Sequence, residues 1–527
     1  MLRTRTCLGG MVTAPHHLAA EAGATILREG GNAIEAMIAS AAAIAVVYPH
    51  MNGIGGDGFW VIARPGTEPV GIRACGPAAA RATKAFYKEH GDAAIPTRGP
   101  RAALTVAGAI SGWAEAQNLA SEAGGRLPIA RLLEDAIRHA REGVPVTASQ
   151  VHLTQIKWNE LKDVAGFAET YAPNGPPQLA EILKQPALAH TLQQLADAGL
   201  DDFYRGDLAR KLGAGLEGAG SPLSVKDLEA FRAKRVTPAM VRLALGDIYN
   251  MPPPTQGPSA LMILGVFERL GVKEPDGFAH IHGLVESTKR AFIHRNEHLG
   301  DPDRMGEIWN AWLDKATLDR EAAAIDTTHA APWPHMAKPG DTIWMGAADR
   351  YGNVVSYIQS IYWEFGSGLV VPDTGVVWQN RGASFTFEKG PNELEPGRLP
   401  FHTLNPSLAR LNDGRTIAYG TMGGEGQPQT QAAIFTRHVL FGQDMQAAIS
   451  APRWLLGRTW GEDSTNLKLE SRFAPDLIDA LRNAGHDVEV VGAYDDMMGH
   501  AGMVSIGSDG VISGATDPRA DGATASL

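Results

Sequence analysis

The sequence predicts an α+β protein, because its pattern changes from helical to strand-like about two-thirds of the way along. Residues 1–320 mostly carry helical periodicity, with short strands between the helices. Residues 321–341 are rich in Ala, Pro and His without an apolar period, and strands follow from residue 342 onward. With 527 residues, of which 44% are hydrophobic, the chain can bury a large core and form more than one domain.

Two successive helices open the first part. The segment "HLAAEAGATILREGG" predicts a helix that ends at Gly30 and Gly31, and "NAIEAMIASAAAIAVV" predicts a second, more apolar helix capped by Asn32. The aromatic and β-branched run "FWVIA" (59–63) predicts a strand. Helical periodicity covers three further segments, residues 108–145, 178–199 and 277–299.

The second part predicts paired strands. The runs "TIWMGAAD" and "VVSYIQS", joined by the turn residues "RYGN", predict a hairpin over residues 342–360. A second hairpin is predicted near the C-terminus, where "SDG" separates "MVSIG" from "VISGA". The 321–341 connection reads as long and exposed, and such connections are usually functional or flexible. The strand-rich part therefore starts abruptly at Thr342.

Composition and charge exclude several classes of protein. The net charge of −11, with acidic and basic residues interspersed, argues against a nucleic-acid partner. Cys7 and Cys75 have neither disulfide nor metal-site spacing. The N-terminal segment lacks the apolar core of a signal peptide, and the longest apolar run, residues 36–48, is too short to span a bilayer. We therefore expect a cytoplasmic protein without a membrane partner.

Two short motifs suggest other chemistries. "GIGGDG" (53–58) fits a dinucleotide-binding pattern, but a helix precedes it and a strand follows, which is the wrong order. "HRNEH" (294–298) places His294 and His298 on one helix face, as in some zinc sites. Among 17 histidines such a pair arises readily by chance, and the polar face of an amphipathic helix can carry both in solvent. A zinc hydrolase remains an alternative.

Eight motifs follow one another along nearly the whole chain. They are "MVTAPHHLAAEAGATILREGGNAIEA", "GIGGDGF", "LGDPD" (299–303), "YGNVVS" (351–356), "NPSLA" (405–409), "GTMGGEGQPQ" (420–429), "APRW" (451–454) and "GATDPR" (514–519). In sequence and order they resemble the gamma-glutamyltranspeptidase family. The resemblance implies an N-terminal nucleophile hydrolase with a four-layer αββα sandwich. It further implies a precursor that cuts itself before Thr342, leaving fragments 1–341 and 342–527 as a heterodimer that forms one catalytic unit.

Elementary chemistry agrees with a cut between Asp341 and Thr342. A threonine hydroxyl is a poor nucleophile unless a base accepts its proton. Cleavage would give Thr342 a free α-amino group with a reference pKa of about 7.7 to 8.0, so the base would sit on the residue it activates. This chemistry requires no metal and no other cofactor. Without the resemblance, Thr342 would be read as an ordinary strand-initiating residue.

The resemblance also implies roles for other residues. Ser360 falls on a hydroxyl that is hydrogen-bonded to the nucleophile, and Gly423 and Gly424 fall on the oxyanion hole. The run "GTMGGEGQPQTQAAIF" predicts a strand, a glycine turn and a helix, which would present backbone N–H groups. Arg73 falls on the arginine that binds the substrate's α-carboxylate, a role that suits the guanidinium fork.

Several positions depart from the transpeptidase pattern. The acidic residue that holds the α-ammonium of a glutamyl group is replaced by Ser384, which cannot pair with a cation in the same way. A substrate-contacting asparagine falls on Tyr362, and a serine pair falls on His402 and Thr403. The segment between residues 385 and 400 is short for a lid over a glutamyl pocket. The site is therefore expected to accept a smaller acid amide that lacks an amine.

The resemblance is strongest to the oxamate amidohydrolase branch of the family, which forms ammonia and oxalate in purine breakdown. The expected substrate is thus a small carboxylic-acid amide such as oxamate, hydrolysed through a threonine acyl-enzyme. A gamma-glutamyltransferase or glutathione hydrolase is the main alternative, and a cephalosporin-acylase-like amidase is more distant. A catalytically inactive binding protein with the same fold, and a higher homo-oligomer, also remain open.

Overall fold

The computed structural model describes residues 2–333, 341–457 and 464–527. Its helices are α1 His17–Arg28, α2 Ala33–Val47, α3 Lys84–Glu89, α4 Ala109–Glu122, α5 Ile129–Glu142, α6 Ala148–Leu161, α7 Phe167–Tyr171, α8 Pro186–Ala198, α9 Asp202–Arg205, α10 Asp207–Ala219, α11 Val225–Ala230, α12 Gly257–Arg269, α13 Phe278–His298, α14 Pro302–Met305, α15 Lys315–Ala323, α16 Gln427–Phe435, α17 Met445–Ser450 and α18 Pro475–Asn483.

The strands are β1 Arg5–Cys7, β2 Gly10–Ala14, β3 Asp57–Ala63, β4 Val70–Ala74, β5 Val144–Pro145, β6 Ile182–Leu183, β7 Lys234–Val236, β8 Ala239–Leu243, β9 Gly246–Asn250, β10 Asp341–Asp349, β11 Val354–Tyr362, β12 Val370–Val371, β13 Val376–Val377, β14 Ser407–Leu411, β15 Thr416–Thr421, β16 Trp454–Leu456, β17 Leu467–Glu470, β18 Val488–Val491, β19 Ala501–Ile506, β20 Ile512–Thr516 and β21 Ala523–Ser526.

Two seven-stranded sheets form the centre of the molecule. One has the strand order β1-β20-β19-β15-β14-β9-β8, and the other has the order β21-β2-β10-β11-β3-β4-β7. Both sheets combine strands from before and after residue 341. Strand β10 lies between β2 and β11, so its backbone pairs on both sides. A chain cut at the start of β10 would therefore still be held together by both sheets.

Alternation of side chains along the strands divides the interior into layers. On β10, Trp344 enters a core between the two sheets, whereas Ile343 enters a core shared with α2 and its neighbouring helices. On β15, Ala418 faces the core between the sheets, and Ile417 packs on α12, α13 and α16. The order of layers is helices, sheet, sheet, helices, which confirms the predicted α+β class and the αββα sandwich.

Most of the predicted elements are present. Asn32 caps α2 through its side chain, which accepts from the backbone N–H groups of Ile34 and Glu35. The two predicted hairpins are the antiparallel pairs β10–β11 and β19–β20. The segment 108–145 divides into α4 and α5, and the helix predicted from residue 178 begins only at Pro186, a residue well suited to the first helical turn.

Residues 321–333 of the connection before β10 are mostly exposed, as expected, although α15 occupies the first three. Residues 334–340, which include Pro339 and Gly340, lie outside the described part of the chain. Across the described ranges, no helix has both the length and the apolar character needed to cross a membrane.

Candidate active site

Thr342 lies fully buried at an irregularity near the start of β10. The register of the β10–β11 pair shifts between Asp341 and Ile343. Two residues of β11, Ser360 and Ile361, therefore lie opposite the single residue Thr342. Such bulges commonly redirect a side chain out of the regular ladder. The sequence-predicted nucleophile thus occupies a position that differs from an ordinary strand-initiating threonine.

Polar groups reach this bulge from two elements. The Gln427 side-chain amide Nε2 donates to Thr342 Oγ1 at 3.5 Å. Gln427 is the first residue of α16, so the beginning of this helix faces the threonine. On β11, the Tyr362 backbone N–H donates to Ser360 Oγ at 2.7 Å. The structure therefore brings Ser360 and Thr342 to one place, and the hydrogen bond expected between their hydroxyls stays a prediction.

A glycine turn precedes α16, as the sequence predicts. Gly423 and Gly424 have φ values of 117° and 52°, in the left-handed region that favours glycine. The side-chain amide of Gln256 donates to the carbonyl oxygens of both Gly424 and Thr403, each at 2.8 Å. This bridge fixes the glycine turn relative to the segment that contains His402. The role of Gly423 and Gly424 as oxyanion donors stays a prediction.

Arg295 supports this turn from α13. Its Nη1 donates to Gln256 Oε1 at 3.0 Å, and its Nη2 lies 2.7 Å from Glu425 Oε2. Arg295 and Glu425 are both buried, so they form an internal ion pair beside the glycines. Arg295 lies inside "HRNEH", where sequence reasoning considered only the histidines. Neither Arg295 nor Gln256 carries a local sequence signal for this role.

His402 and Asp57 form a fully buried pair, with His402 Nε2 2.9 Å from Asp57 Oδ2. Burial lowers the pKa of His402 well below its usual range, and the Arg381 charge lowers it further. Burial raises the pKa of Asp57 to about 7, against the opposing effects of Arg381 and of hydrogen bonds such as that from Gln379. The pair therefore carries at most one negative charge, and its histidine is neutral.

Ser384 does not direct its hydroxyl to a free site. Its Oγ lies 2.9 Å from the carbonyl oxygen of Arg381 and 3.2 Å from that of Phe401, so it donates to the backbone. Sequence reasoning weighed this serine but missed Arg381 three residues before it. A single arginine in "QNRGASF" gives no sign of its burial, which follows only from the fold.

Arg381 is completely buried, and its guanidinium stacks on Tyr362 with 3.6 Å between Cζ and the ring centroid. Its Nη2 lies 3.4 Å from Thr403 Oγ1, a long contact. Within the described residues, Nε and Nη1 have no hydrogen-bond partner. Burial lowers the pKa of Arg381 to about 10, so the group remains a cation at neutral pH. Tyr362 and Thr403 thus both contact Arg381, a cation that the sequence analysis did not single out.

Arg73 lies on a strand that is not a neighbour of β10. It is on β4, and three strand spacings, about 14 Å, separate the backbones of β4 and β10. Its side chain is half-buried and lines a cavity of about 540 Å³, together with Pro253, Glu307 and Trp309. The described lining residues include no other predicted site residue. The carboxylate-binding role of Arg73 stays a prediction.

The histidines proposed for zinc make other contacts. His294 Nε2 lies 3.2 Å from Glu321 Oε1, His298 Nε2 lies 3.7 Å from Glu297, and both rings lie near Trp312. Among the residues that the structure describes, neither histidine belongs to a group of three metal-ligating side chains. The geometry gives the zinc alternative no support.

A different cluster, His282, Glu286 and His486, has the side-chain types of a metal site. Hydrogen bonds account for its contacts, because His282 Nδ1 lies 2.9 Å from His486 Nε2 and Glu286 binds the Lys289 ammonium at 2.7 Å. His282 Nε2 also lies 2.8 Å from the carbonyl oxygen of Asp326. The cluster anchors the segment that leads toward β10, and its neighbouring ammonium disfavours a bound cation.

Comparison with known proteins agrees with this arrangement. The sequence model for gamma-glutamyltranspeptidase matches residues 19–527. An oxamate amidohydrolase proenzyme of Klebsiella pneumoniae is 53% identical over 98% of both chains, and a glutathione hydrolase-like YwrD proenzyme of Bacillus subtilis is 38% identical, again over 98% of both. The crystal structure of a cephalosporin acylase from Bacillus halodurans superposes with a TM-score of 0.91 at 32% identity, covering 100% of this chain and 97% of that one.

Proposed function

The chain belongs to the gamma-glutamyltranspeptidase family and is an autoprocessed amide hydrolase of the N-terminal nucleophile class, and we propose that it hydrolyses small carboxylic-acid amides such as oxamate through Thr342. Support comes from the relative named oxamate amidohydrolase proenzyme and from the charges at the site. The alternatives within the family differ in the acyl group of their substrates, so the groups that the site can bind distinguish them.

Maturation is the first proposed step. Thr342 Oγ attacks the carbonyl carbon of Asp341, the peptide C–N bond breaks, and the Thr342 nitrogen leaves as a free amine. Water then hydrolyses the resulting ester, which restores the Thr342 hydroxyl and leaves a new C-terminal carboxylate on Asp341. Strand pairing on both sides of β10 supports a product that remains a heterodimer of fragments 1–341 and 342–527.

Turnover uses the Thr342 hydroxyl again, with the α-amine that cleavage has freed as its base. The α-amine of Thr342 takes the proton from Oγ as the oxygen attacks the substrate's amide carbonyl. Backbone N–H groups of Gly423 and Gly424 hold the oxyanion, and Ser360 orients Thr342. The amine returns the proton to the departing nitrogen, which leaves as ammonia, and water hydrolyses the acyl ester.

The proposed substrate is inferred mainly from the positive charge of Arg381. A glutamyl group presents an ammonium, which a cation repels and which the Ser384 hydroxyl cannot neutralise. The nearby carboxylate of Asp57 already binds His402 and Gln379. A small acid amide brings a carboxylate that can bind the Arg381 guanidinium directly, and it carries no ammonium.

A glutathione hydrolase is the second candidate. The half-buried Arg73 beside a large cavity favours it, since a longer acyl group would place its carboxylate farther from the nucleophile. The 38% identical relative, named glutathione hydrolase-like, agrees with this candidate.

A denaturing gel with N-terminal sequencing tests the proposal together with an ammonia-release assay. Wild-type protein should give two fragments, the smaller of which begins "TIWMGAAD", and should release ammonia from oxamate. Thr342→Ala should stay a single chain and lose turnover by about 10⁶-fold, the order typical of a lost nucleophile. An uncut wild-type chain with full activity would overturn the proposal.

A further inference from the structure

We propose that Arg381 binds the substrate's carboxylate, and that its position restricts the enzyme to amides whose carboxylate is bonded directly to the scissile carbonyl carbon. The inference rests on the proposed function, because it takes Thr342 as the nucleophile. It differs from the resemblance, which assigns the carboxylate to Arg73. The substrate class is therefore the monoamides of oxalic acid, whose two carbons are both carbonyl carbons.

The first observation is an unsatisfied buried cation. A buried arginine normally forms hydrogen bonds through most of its five N–H groups, because an unpaired buried charge is strongly unfavourable. Within the described residues, the side chain of Arg381 makes the long contact to Thr403 Oγ1 and stacks on Tyr362, while the Asp57 carboxylate acts on its charge without a hydrogen bond to it. Nε and Nη1 have no hydrogen-bond partner in the described part of the chain. A carboxylate oxygen is the acceptor that such a fork binds best.

The second observation is the position of this cation beside the reacting groups. Tyr362, on which the guanidinium stacks, is the cross-strand partner of Asp341, the residue before the nucleophile. Thr403, which Arg381 contacts, is tied to Gly424 through the two hydrogen bonds of the Gln256 amide. Arg381 therefore lies between the strand end that carries Thr342 and the proposed oxyanion turn.

The backbone at this point is held in an unusual conformation. Tyr362 has a φ of 84°, a sparsely populated region for a residue with a side chain, and its N–H donates to Ser360 Oγ at 2.7 Å. This conformation places the aromatic ring under the guanidinium. Stacking on the ring orients the fork without neutralising it, so the positive charge remains available to a ligand.

The length of the substrate's acyl group distinguishes the roles that the two arginines could have. In oxamate a single carbon–carbon bond joins the carboxylate to the scissile carbonyl, so its partner must lie beside the oxyanion turn. In a γ-glutamyl group three carbons intervene, and the partner lies correspondingly farther away. Arg381 contacts Tyr362 beside the bulge and Thr403, which Gln256 ties to the turn, whereas Arg73 is three strands from β10. Arg381 fits the short acid, and Arg73 fits the long one.

Calorimetric titration of the processed enzyme with oxalate tests the inference without requiring turnover. Arg381→Gln should weaken oxalate binding by at least about 30-fold, the loss typical of a truncated charge partner. Arg210→Gln, which removes the same charge from an exposed position on α10, is the matched control and should bind as wild type does. Oxamide, the neutral analogue of oxamate, should show little dependence on Arg381.

A stability measurement separates a binding role from a structural one. Removing an unpaired buried charge should leave the melting temperature unchanged or raise it, whereas loss of a structural ion pair would lower it. Arg381→Lys, which keeps the charge but loses the fork, should recover only part of the oxalate affinity.

The outcomes also separate this inference from the proposed function. If wild-type enzyme binds oxalate through Arg381 but releases no ammonia from oxamate, the proposed function fails and the binding role stands. If wild type fails to bind oxalate, or if Arg73→Gln rather than Arg381→Gln abolishes binding, the inference is wrong.

Discussion

Two of the places at which arginines are buried in this molecule differ in their surroundings. At the first, Arg453 and Arg519 contact the carboxylates of Asp517 and Glu470, and all four side chains are almost fully buried. At the second, the direct contacts of Arg381 with the described residues are to a hydroxyl and an aromatic ring, and the Asp57 carboxylate acts on it without a hydrogen bond. The difference indicates that the first group holds the fold together, whereas the second is kept for a ligand.

The contrast does not arise from a difference in protonation. Burial lowers the pKa of both Arg453 and Arg381 to about 10, so both remain cations at neutral pH. What differs is the contact with a carboxylate: Arg453 is hydrogen-bonded to Asp517, whereas Asp57 acts on Arg381 without a hydrogen bond. Burying a cation without a partner is unfavourable, and proteins tolerate that at positions where function requires it.

The largest expected effect lies in the first group, where the buried arginines contact carboxylates. Asp517→Ala leaves two buried arginines short of a partner and should destabilise the protein by about 3 to 5 kcal/mol. Denaturant unfolding monitored by circular dichroism measures this loss, with Arg381→Gln in the same assay as the comparison. If both variants lose the same stability, the distinction between the two sites fails.

The glycine turn should show the next largest effect. Gly424 and Gly442 both have positive φ values, of 52° and 69°, and a Cβ on Gly442 would meet no atom within 4 Å. Gly424→Ala displaces a proposed oxyanion donor and should reduce kcat by about 100- to 1,000-fold, whereas Gly442→Ala carries similar backbone strain without that loss. Steady-state kinetics with oxamate distinguishes them. Normal turnover in Gly424→Ala would show that the oxyanion is held elsewhere.

The raised pKa of Asp57 predicts that the stability of the protein depends on pH. Burial raises its pKa from 3.8 to about 7, so the unfolded chain releases this proton at lower pH than the folded protein does. The contribution of Asp57 to stability is therefore most favourable below pH 4, falls as pH rises from about 4 to 7, and then levels off.

Asp57→Asn keeps a similar shape and removes this titration. Its stability relative to wild type should increase by about 3 kcal/mol between pH 4 and pH 7. Unfolding curves recorded across that range test the prediction. A constant difference between the two proteins would mean that Asp57 titrates normally.

The smallest expected effect comes from placing a carboxylate near Arg381. Ser384→Asp adds a carboxylate one helical turn from Arg381, which would compete with the substrate for the guanidinium. We expect kcat/KM for oxamate to fall by about tenfold, and any activity on γ-glutamyl-p-nitroanilide to rise. Ser384→Ala serves as the control for the lost hydroxyl. Equal losses in both variants would assign the effect to the backbone contacts of Ser384.

Much of the fold was predictable because it rests on local patterns. The Asn32 cap, the two hairpins and the change of pattern at Thr342 are all present in the structure. The positions of Thr342, Ser360 and the glycine turn followed from the family resemblance. Their meeting at one place agrees with that resemblance, although their catalytic roles stay proposals.

Arg381 and Gln256 could not be predicted in this way. Gln256 bridges Thr403 and Gly424, which are 147 and 168 residues away along the chain. No local pattern encodes such a contact. The burial of Arg381 depends on a strand end, a turn and a loop that meet only in the folded protein. For the same reason sequence reasoning weighed His294 and His298 but passed over Arg295 between them.

The preference between a short acid amide and a glutamyl substrate tests the central claim most directly. The measurement is kcat/KM of the processed wild-type enzyme for oxamate and for γ-glutamyl-p-nitroanilide under the same conditions. An Arg381 guanidinium without a hydrogen-bonded carboxylate among the described residues predicts that oxamate is preferred by about 100-fold or more, because the site attracts a carboxylate and repels an ammonium. A preference for the γ-glutamyl substrate would contradict the account and favour a glutathione hydrolase.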